Sequence, residues 1–167
     1  HGRIARIGSD GILRVVAGSG GPVTPGSDPG PHQGTLALET ALYKPSGVAL
    51  APDGGFFIAE TGFMRIYHVN AAGVMTHVAG TGAMGYDGEG GLATSSRVGI
   101  NTGKMCVGPE GGLILGDSGT HRVRRIASTL PGFSLGDLLI ASRDGAEVFH
   151  LDSLGRHLRT LDPLSLI

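Results

Sequence analysis

Ala51-Pro52-Asp53-Gly54-Gly55 leads into Phe56-Phe57-Ile58-Ala59-Glu60-Thr61-Gly62, and the pattern returns at an offset of 57 as Gly108-Pro109-Glu110-Gly111-Gly112 and Gly116-Asp117-Ser118-Gly119. A second echo has an offset of 62 and joins Arg3-Ile4 to Arg65-Ile66, Gly11 to Gly73, and Val16-Ala17-Gly18 to Val78-Ala79-Gly80. Self-similarity at a near-constant period marks a chain of repeated units. The difference of five between the two offsets falls in one connection, Gly18 to Lys44, which is rich in Gly and Pro. Length variation of that kind belongs in a surface loop.

Within one copy the pattern predicts four short strands: Ser46 to Leu50, Phe56 to Glu60, Arg65 to Asn70 and Met75 to Ala79, with turns at Pro52-Asp53-Gly54 and Ala72-Gly73. In the third strand Ile66 and Val69 are apolar while Arg65 and His68 are polar, and Ile4/Ile7 and Val123/Ile126 repeat that spacing of three. Strict alternation is missing. Six-residue segments between Gly-bearing turns are nevertheless too short for helices, and β-branched residues recur in them.

A four-stranded unit of this size matches a β-propeller blade, whose faces are buried only when neighbouring blades pack around an axis. Composition agrees: 31 glycines and 9 prolines in 167 residues suit short strands and tight turns. The formal net charge of -1 provides no global field for nucleic acid or an anionic membrane. No run approaches the length of a membrane span. Cys106 is the single cysteine, which rules out an intrachain disulfide, and it reads as a small buried apolar residue.

Thr76-His77-Val78-Ala79-Gly80-Thr81-Gly82, Gly85-Tyr86-Asp87-Gly88-Glu89-Gly90-Gly91 with Ala93-Thr94, Pro45-Ser46-Gly47-Val48-Ala49 and Asp117-Ser118-Gly119-Thr120-His121-Arg122-Val123-Arg124-Arg125-Ile126 together resemble NHL repeats. Leu130-Pro131-Gly132-Phe133, Asp144-Gly145-Ala146-Glu147-Val148 and Gly155-Arg156-His157-Leu158-Arg159-Thr160 resemble the junction with a YD-repeat shell, as in bacterial Rhs proteins and teneurins. Gly20 to Gly34 is the least typical stretch. Phe63-Met64 departs from the family's Asn-His, and Ile100-Asn101-Thr102-Gly103 lacks the expected proline.

The resemblance implies an all-β chain with a partial NHL-type β-propeller at 1–128: a half blade at 1–18, a blade at 46–80 and a blade at 103–128. A linker at 129–136 and the start of a YD shell at 137–167 would follow. The chain is then expected to be cut from a large secreted or surface protein that encloses a C-terminal toxin or serves cell adhesion. Expected partners are other proteins or the rest of its own longer chain, with self-association of the isolated segment and no nucleic acid. The site residues are architectural: Gly47, Gly54, Gly62, Gly111 and Gly119 for turns, and Val48, Ile58, Ile66, Ile114 and Ile126 for packing between blades.

Chemical motifs weigh less. Gly80-Thr81-Gly82-Ala83-Met84-Gly85 spells the dinucleotide fingerprint after a strand, but Tyr86 to Gly91 carries three glycines and begins no helix to receive a pyrophosphate. Asp87 and Glu89 offer oxygen ligands without the closing Glu of a calcium loop. None of the seven histidines lies at zinc-ligand spacing, although His68 and His77 fall on adjacent predicted strands. Ser118 lacks the second glycine of a nucleophile elbow, and Thr61 occupies its place in the earlier copy. Glu60 and Asp117 are likewise equivalent, so they serve the repeat before any chemistry. The expectation is no catalytic residue, no metal and no cofactor. Two alternatives stay open: a metal-dependent propeller lyase or hydrolase whose site needs further blades, and an RNA-binding NHL module using Arg122, Arg124 and Arg125. For the latter, aromatic platforms are sparse: outside Phe56-Phe57, only Phe63, Tyr67 and Tyr86 lie between Ser46 and Ser128.

Overall fold

The chain is all-β. A computed structural model describes residues 2–109, 111–127, 138–141, 147–151 and 157–161, and among them there is no α-helix, only one short 3-10 turn at Ala93–Ser95. The strands are β1 (Ile4–Ile7), β2 (Leu13–Ala17), β3 (Thr35–Leu36), β4 (Pro45–Leu50), β5 (Phe56–Glu60), β6 (Arg65–Val69) and β7 (Val74–Ala79). They continue with β8 (Met105–Val107), β9 (Leu113–Asp117), β10 (Arg122–Ile126), β11 (Leu138–Ala141), β12 (Val148–Leu151) and β13 (His157–Leu161). Every pairing is antiparallel.

The sheets are a β1-β2 hairpin, a central sheet ordered β3-β7-β6-β5-β4, a following sheet ordered β10-β9-β8, and a three-stranded sheet ordered β11-β12-β13. The meander β4 to β7 is the four-stranded blade expected from the repeat. Local chemistry sets its turns. Gly54 lies at φ 83 and its counterpart Gly111 at φ 78, a region closed to most side chains, and the Asp53 carboxylate accepts the Gly55 N–H at 2.9 Å. At the β6–β7 turn the Asn70 side chain accepts the N–H groups of Ala72 and Val74 at 3.0 and 2.9 Å. Met64 and His121, equivalent positions of the repeat, both hold positive φ just before the third strand of their blades, so this backbone kink belongs to the repeat.

Burial accounts for the missing alternation in the third strand. All five residues of β6 are buried because the central blade is covered on both faces. On one face Ile58, Tyr67, Val69 and Met75 pack with Ala17, Ala37, Leu42 and Ile4 from the hairpin and the long connection. On the other, Ala49, Phe57, Ala59 and Ile66 pack with Leu113, Leu115 and Ile126 of the following blade. Arg65 and His68 are therefore buried too, and each has a carboxylate partner. Alternation of polarity requires a wet face, which this strand lacks.

Two of the differences from expectation concern burial and strand count. Cys106 is exposed rather than buried. It is the repeat counterpart of Ala49, on the face of the following blade turned away from the central one, so its exposure follows from its place in the repeat. Within the long connection, Thr35–Leu36 forms the two-residue strand β3, which pairs with Met75 and Val74 and widens the central blade to five strands. The expected linker at 129–136 lies outside the described residues. Of the stretch 137–167, only β11 to β13 and Glu147 are described.

Candidate functional site

The buried acids at the ends of β5 and β9 do the same work in successive repeats. Glu60, fully buried, accepts the Tyr43 N–H on Oε1 at 2.7 Å; Asp117, also fully buried, accepts the Gly99 N–H on Oδ1 at 3.0 Å. Tyr43 and Gly99 belong to the chain entering each blade, so each carboxylate ties the end of a second strand to the approach of a first. The remaining carboxylate oxygen is handled differently. In the following blade Arg124 Nη1 lies 3.3 Å from Asp117 Oδ2, while Arg124 also forms an ion pair with Glu89 at 2.8 Å and donates to the Arg97 carbonyl at 2.7 Å and to the Asp87 carbonyl at 2.8 Å. In the central blade the residue in the place of Arg124 is Tyr67, which is uncharged.

Among the described residues no cation consequently forms an ion pair with Glu60. Arg65 instead reaches the irregular insert, meeting both oxygens of Asp28 at 2.5 and 2.7 Å, and donates to the Thr81 carbonyl at 3.2 Å. The last bond is a repeat feature, since Arg3 and Ser19, the counterparts of Arg65 and Thr81 in the first copy, make the same side-chain-to-carbonyl bond at 2.9 Å. The insert is further held by Gln33, whose Oε1 accepts the His77 N–H at 2.9 Å. The Tyr67 ring lies between His32 and His77, at centroid distances of 5.6 and 5.8 Å. Asp28, His32, Glu60, Arg65 and Tyr67 thus form a polar cluster under the insert. Glu60 Oε2, Arg65 Nε, Tyr67 OH and His32 Nε2 are buried there with no hydrogen-bond partner among the described residues.

Electrostatics follow from that geometry. Arg65 holds the Asp28 carboxyl below the usual carboxylate range, and burial lowers the His32 imidazole. Burial raises the Glu60 carboxyl against the pull of the Tyr43 N–H, and burial likewise raises the Tyr67 phenol, so that phenol remains protonated. A carboxyl whose folded pKa exceeds its unfolded value of about 4.3 penalises the fold when ionised. The penalty is absent below the unfolded value and grows as pH rises through the folded one. Glu60→Gln keeps an acceptor for Tyr43 and removes the charge. The stability of wild type relative to E60Q is therefore expected to rise as pH falls from 7 to 5. Urea midpoints at both values measure this, and His32, which opposes the trend by needing to charge, cancels in the comparison. A pH-independent difference would remove Glu60 as the source.

The other sequence candidates take structural positions. The chain after Gly80 to Gly85 forms no α-helix before the 3-10 turn at Ala93–Ser95. Asp87 accepts the Arg97 N–H and Nε–H, both at 2.6 Å, and Glu89 faces Arg124, so arginines engage both carboxylates of that loop. His68 lies against Asp53 at 3.0 Å, and His77 is opposite Tyr67 rather than His68. Among the described residues no group of three or more His, Cys, Asp or Glu side chains is placed to hold a metal ion. Ser118 stands in the turn after β9, its Oγ 3.5 Å from the Thr102 hydroxyl. The Arg122 guanidinium covers the Tyr86 ring at 3.7 Å.

Of the packing residues, Ile58 and Ile66 are wholly buried on opposite faces of the central blade, Ile126 lies at its contact with the following blade, and Ile114 is half-buried. Val48 points outward; its neighbour Ala49 makes the inter-blade contact. Gly62 and Gly119 lie in turns closely backed by Tyr43 and Gly99 respectively. Gly47 sits inside β4, where the backbone of Gly103 comes too close for a Cβ. The sequence reading missed Asp28 and His32, which lie in a non-repeating insert with no pattern to mark them. The exchange of Tyr67 for Arg124 was visible once the two repeats were aligned.

Fold and site together define an all-β repeat chain whose propeller-type blades are locked by buried acid caps and arginine ties. The chain is 26% identical over 176 residues to Teneurin-m of Drosophila melanogaster, an alignment covering 97% of this chain and 6% of that protein. It is 28% identical over 142 residues to Teneurin-3 of Danio rerio, covering 77% and 5%. No family model matches. Among solved structures, a protein of unknown function from Bacteroides thetaiotaomicron superposes with a TM-score of 0.59 at 21% identity, covering 74% of this chain and 29% of that one. Virginiamycin B lyase from Staphylococcus aureus aligns at a TM-score of 0.41 and 14% identity, covering 96% and 48%.

Proposed function

We propose that this chain is a non-enzymatic structural and interaction module of a large secreted or surface protein related to teneurins and Rhs proteins, contributing to adhesion or to encapsulation of a C-terminal segment. The observation that carries this reading is the matched pair of buried acids. Glu60 and Asp117, the side chains best suited to acid or base chemistry by burial, each cap a backbone amide at the same place in successive repeats. A residue repeated for blade geometry is not a singular catalytic group. The teneurin likeness along nearly the whole chain supports the protein class, and the continuation at 137–167 is read as the start of a YD shell. No described helix is long and apolar enough to cross a membrane. The partners are proteins or other parts of the same polypeptide.

Surface biotinylation of the producing cells, followed by immunoblotting with an antibody against this chain, tests the proposal. A labelled band far above ~100 kDa is expected, since a ring of blades and a shell need several domains of about 150 residues each. An unlabelled band near 17.0 kDa would sink it. Stoichiometric metal in the native protein, with an activity lost on chelation, would sink the non-enzymatic part.

A further inference from the structure

Strand register brings three buried polar side chains to one face of the central blade. Glu60 pairs across the ladder with Arg65, and side chains two apart on a strand share a face, so Glu60, Arg65 and Tyr67 stand together at the end of the β5–β6 ladder. Glu60 and Tyr67 are 0% exposed and Arg65 4%. Glu60 and Arg65 both act electrostatically on the Tyr67 phenol, and the insert brings the His32 ring to 5.6 Å from the Tyr67 ring. Part of this set is already engaged: Glu60 Oε1 accepts the Tyr43 N–H, and Arg65 Nη1 and Nη2 hold Asp28. Glu60 Oε2, Arg65 Nε, Tyr67 OH and His32 Nε2 are buried with no hydrogen bond from the described residues. A buried polar atom left in that state costs its full desolvation, so folded proteins seldom leave one, and here four lie in one cluster.

We infer that Glu60 Oε2, Arg65 Nε, Tyr67 OH and His32 Nε2 bind ordered water, which fastens the insert to the central blade. The lining is mixed: the Tyr67 hydroxyl and Arg65 Nε–H donate, the Glu60 oxygen accepts, and His32 Nε2 does either according to its tautomer. Water donates twice and accepts twice, and buried water takes two to four such partners. An apolar ligand would leave all four atoms unmatched. A metal ion lacks a ligand set, since no group of three or more His, Cys, Asp or Glu among the described residues could hold one. His32 also lines a groove of about 560 Å³ together with Thr35, Glu39 and Thr40, so solvent reaches the edge of the cluster. A water bridge there joins a non-repeating segment to the repeat frame, beside the Asp28–Arg65 pair and the Gln33 bond to His77. The site is the same whether the protein serves adhesion or encapsulation.

A high-resolution crystal structure of the full chain tests this. The expected result is solvent density within about 3.2 Å of Tyr67 OH, of Glu60 Oε2 and of at least one of the other two atoms, the ordinary hydrogen-bond range. Direct hydrogen bonds among the four atoms, an ion in their midst, or a side chain from elsewhere in the chain filling the place would each overturn the inference. Nuclear magnetic resonance supplies a second readout in solution. The Tyr67 hydroxyl proton of the wild-type chain is expected to show a nuclear Overhauser effect from water, with the sign of a held molecule rather than of passing solvent. Tyr67→Phe keeps the ring, removes the hydroxyl and so assigns that proton. A hydroxyl proton with no such effect from water would also overturn it.

Discussion

Gly47→Ala is expected to destabilise the chain by about 3 kcal/mol or more, a loss seldom produced by adding one methyl group. Gly47 lies in β4, at a register shift in its pairing with β5, where the backbone of Gly103 crosses from the approach to the following blade. An added Cβ would overlap the Gly103 carbonyl, and a Cβ on Gly103 would in turn meet Ser46 Oγ and the Gly47 nitrogen. The atoms a Cβ on Gly47 would meet are all main chain of Gly103, so none yields by a rotamer change. Relief requires the two blades to separate, which also exposes Ala49, Phe57 and Leu115 between them. Gly54→Ala is the control: Gly54 has φ 83 but no atom near its Cβ position, so only backbone strain of about 1 kcal/mol is expected. Urea midpoints of both variants measure the contrast. Equal losses would remove the close crossing as the cause.

That position shows how far the residues alone lead. Turn chemistry is local, so Pro52-Asp53-Gly54 and Ala72-Gly73 mark two hairpins and thereby four strand positions. Glycines that serve a close approach leave the same letter in the sequence with no local pattern, because the reason for them lies on another strand. Gly47 thus reads as a turn residue, although it packs against Gly103 in the next repeat. Exposure depends on distant chain in the same way. Val48 and Cys106 read as interior because they are apolar, yet Cys106 lies on the face of the following blade turned away from the central one, and Val48, on the same face as its partner Ile58, stays exposed on the edge strand β4. The candidate site divides along the same line. Glu60 and Asp117 repeat and pair by alignment, whereas Asp28 and His32 reach Arg65 and Tyr67 from an insert that has no second copy.

Arg124→Ala is expected to cost about 3–5 kcal/mol, because among the described residues it leaves the fully buried Asp117 carboxylate with the Gly99 N–H as its remaining hydrogen bond. Removing one partner of a buried charge pair is expensive chiefly through the charge left behind, so the expected remedy is to remove that charge as well. Asp117→Asn retains an oxygen for Gly99, and the double variant is expected to recover at least half of the loss. The central blade indicates a second route. Tyr67 holds the place of Arg124 there and tolerates a buried acid beside it, with burial raising the Glu60 carboxyl. Arg124→Tyr is accordingly expected to cost less than Arg124→Ala. Thermal melts of the four variants and wild type decide between two roles for Arg124. If charge compensation dominates, D117N rescues R124A. If the double variant is no more stable than R124A, the arginine acts instead through its bonds to Glu89 and to the Asp87 and Arg97 carbonyls, as the tie that holds the Gly-rich loop against the following blade.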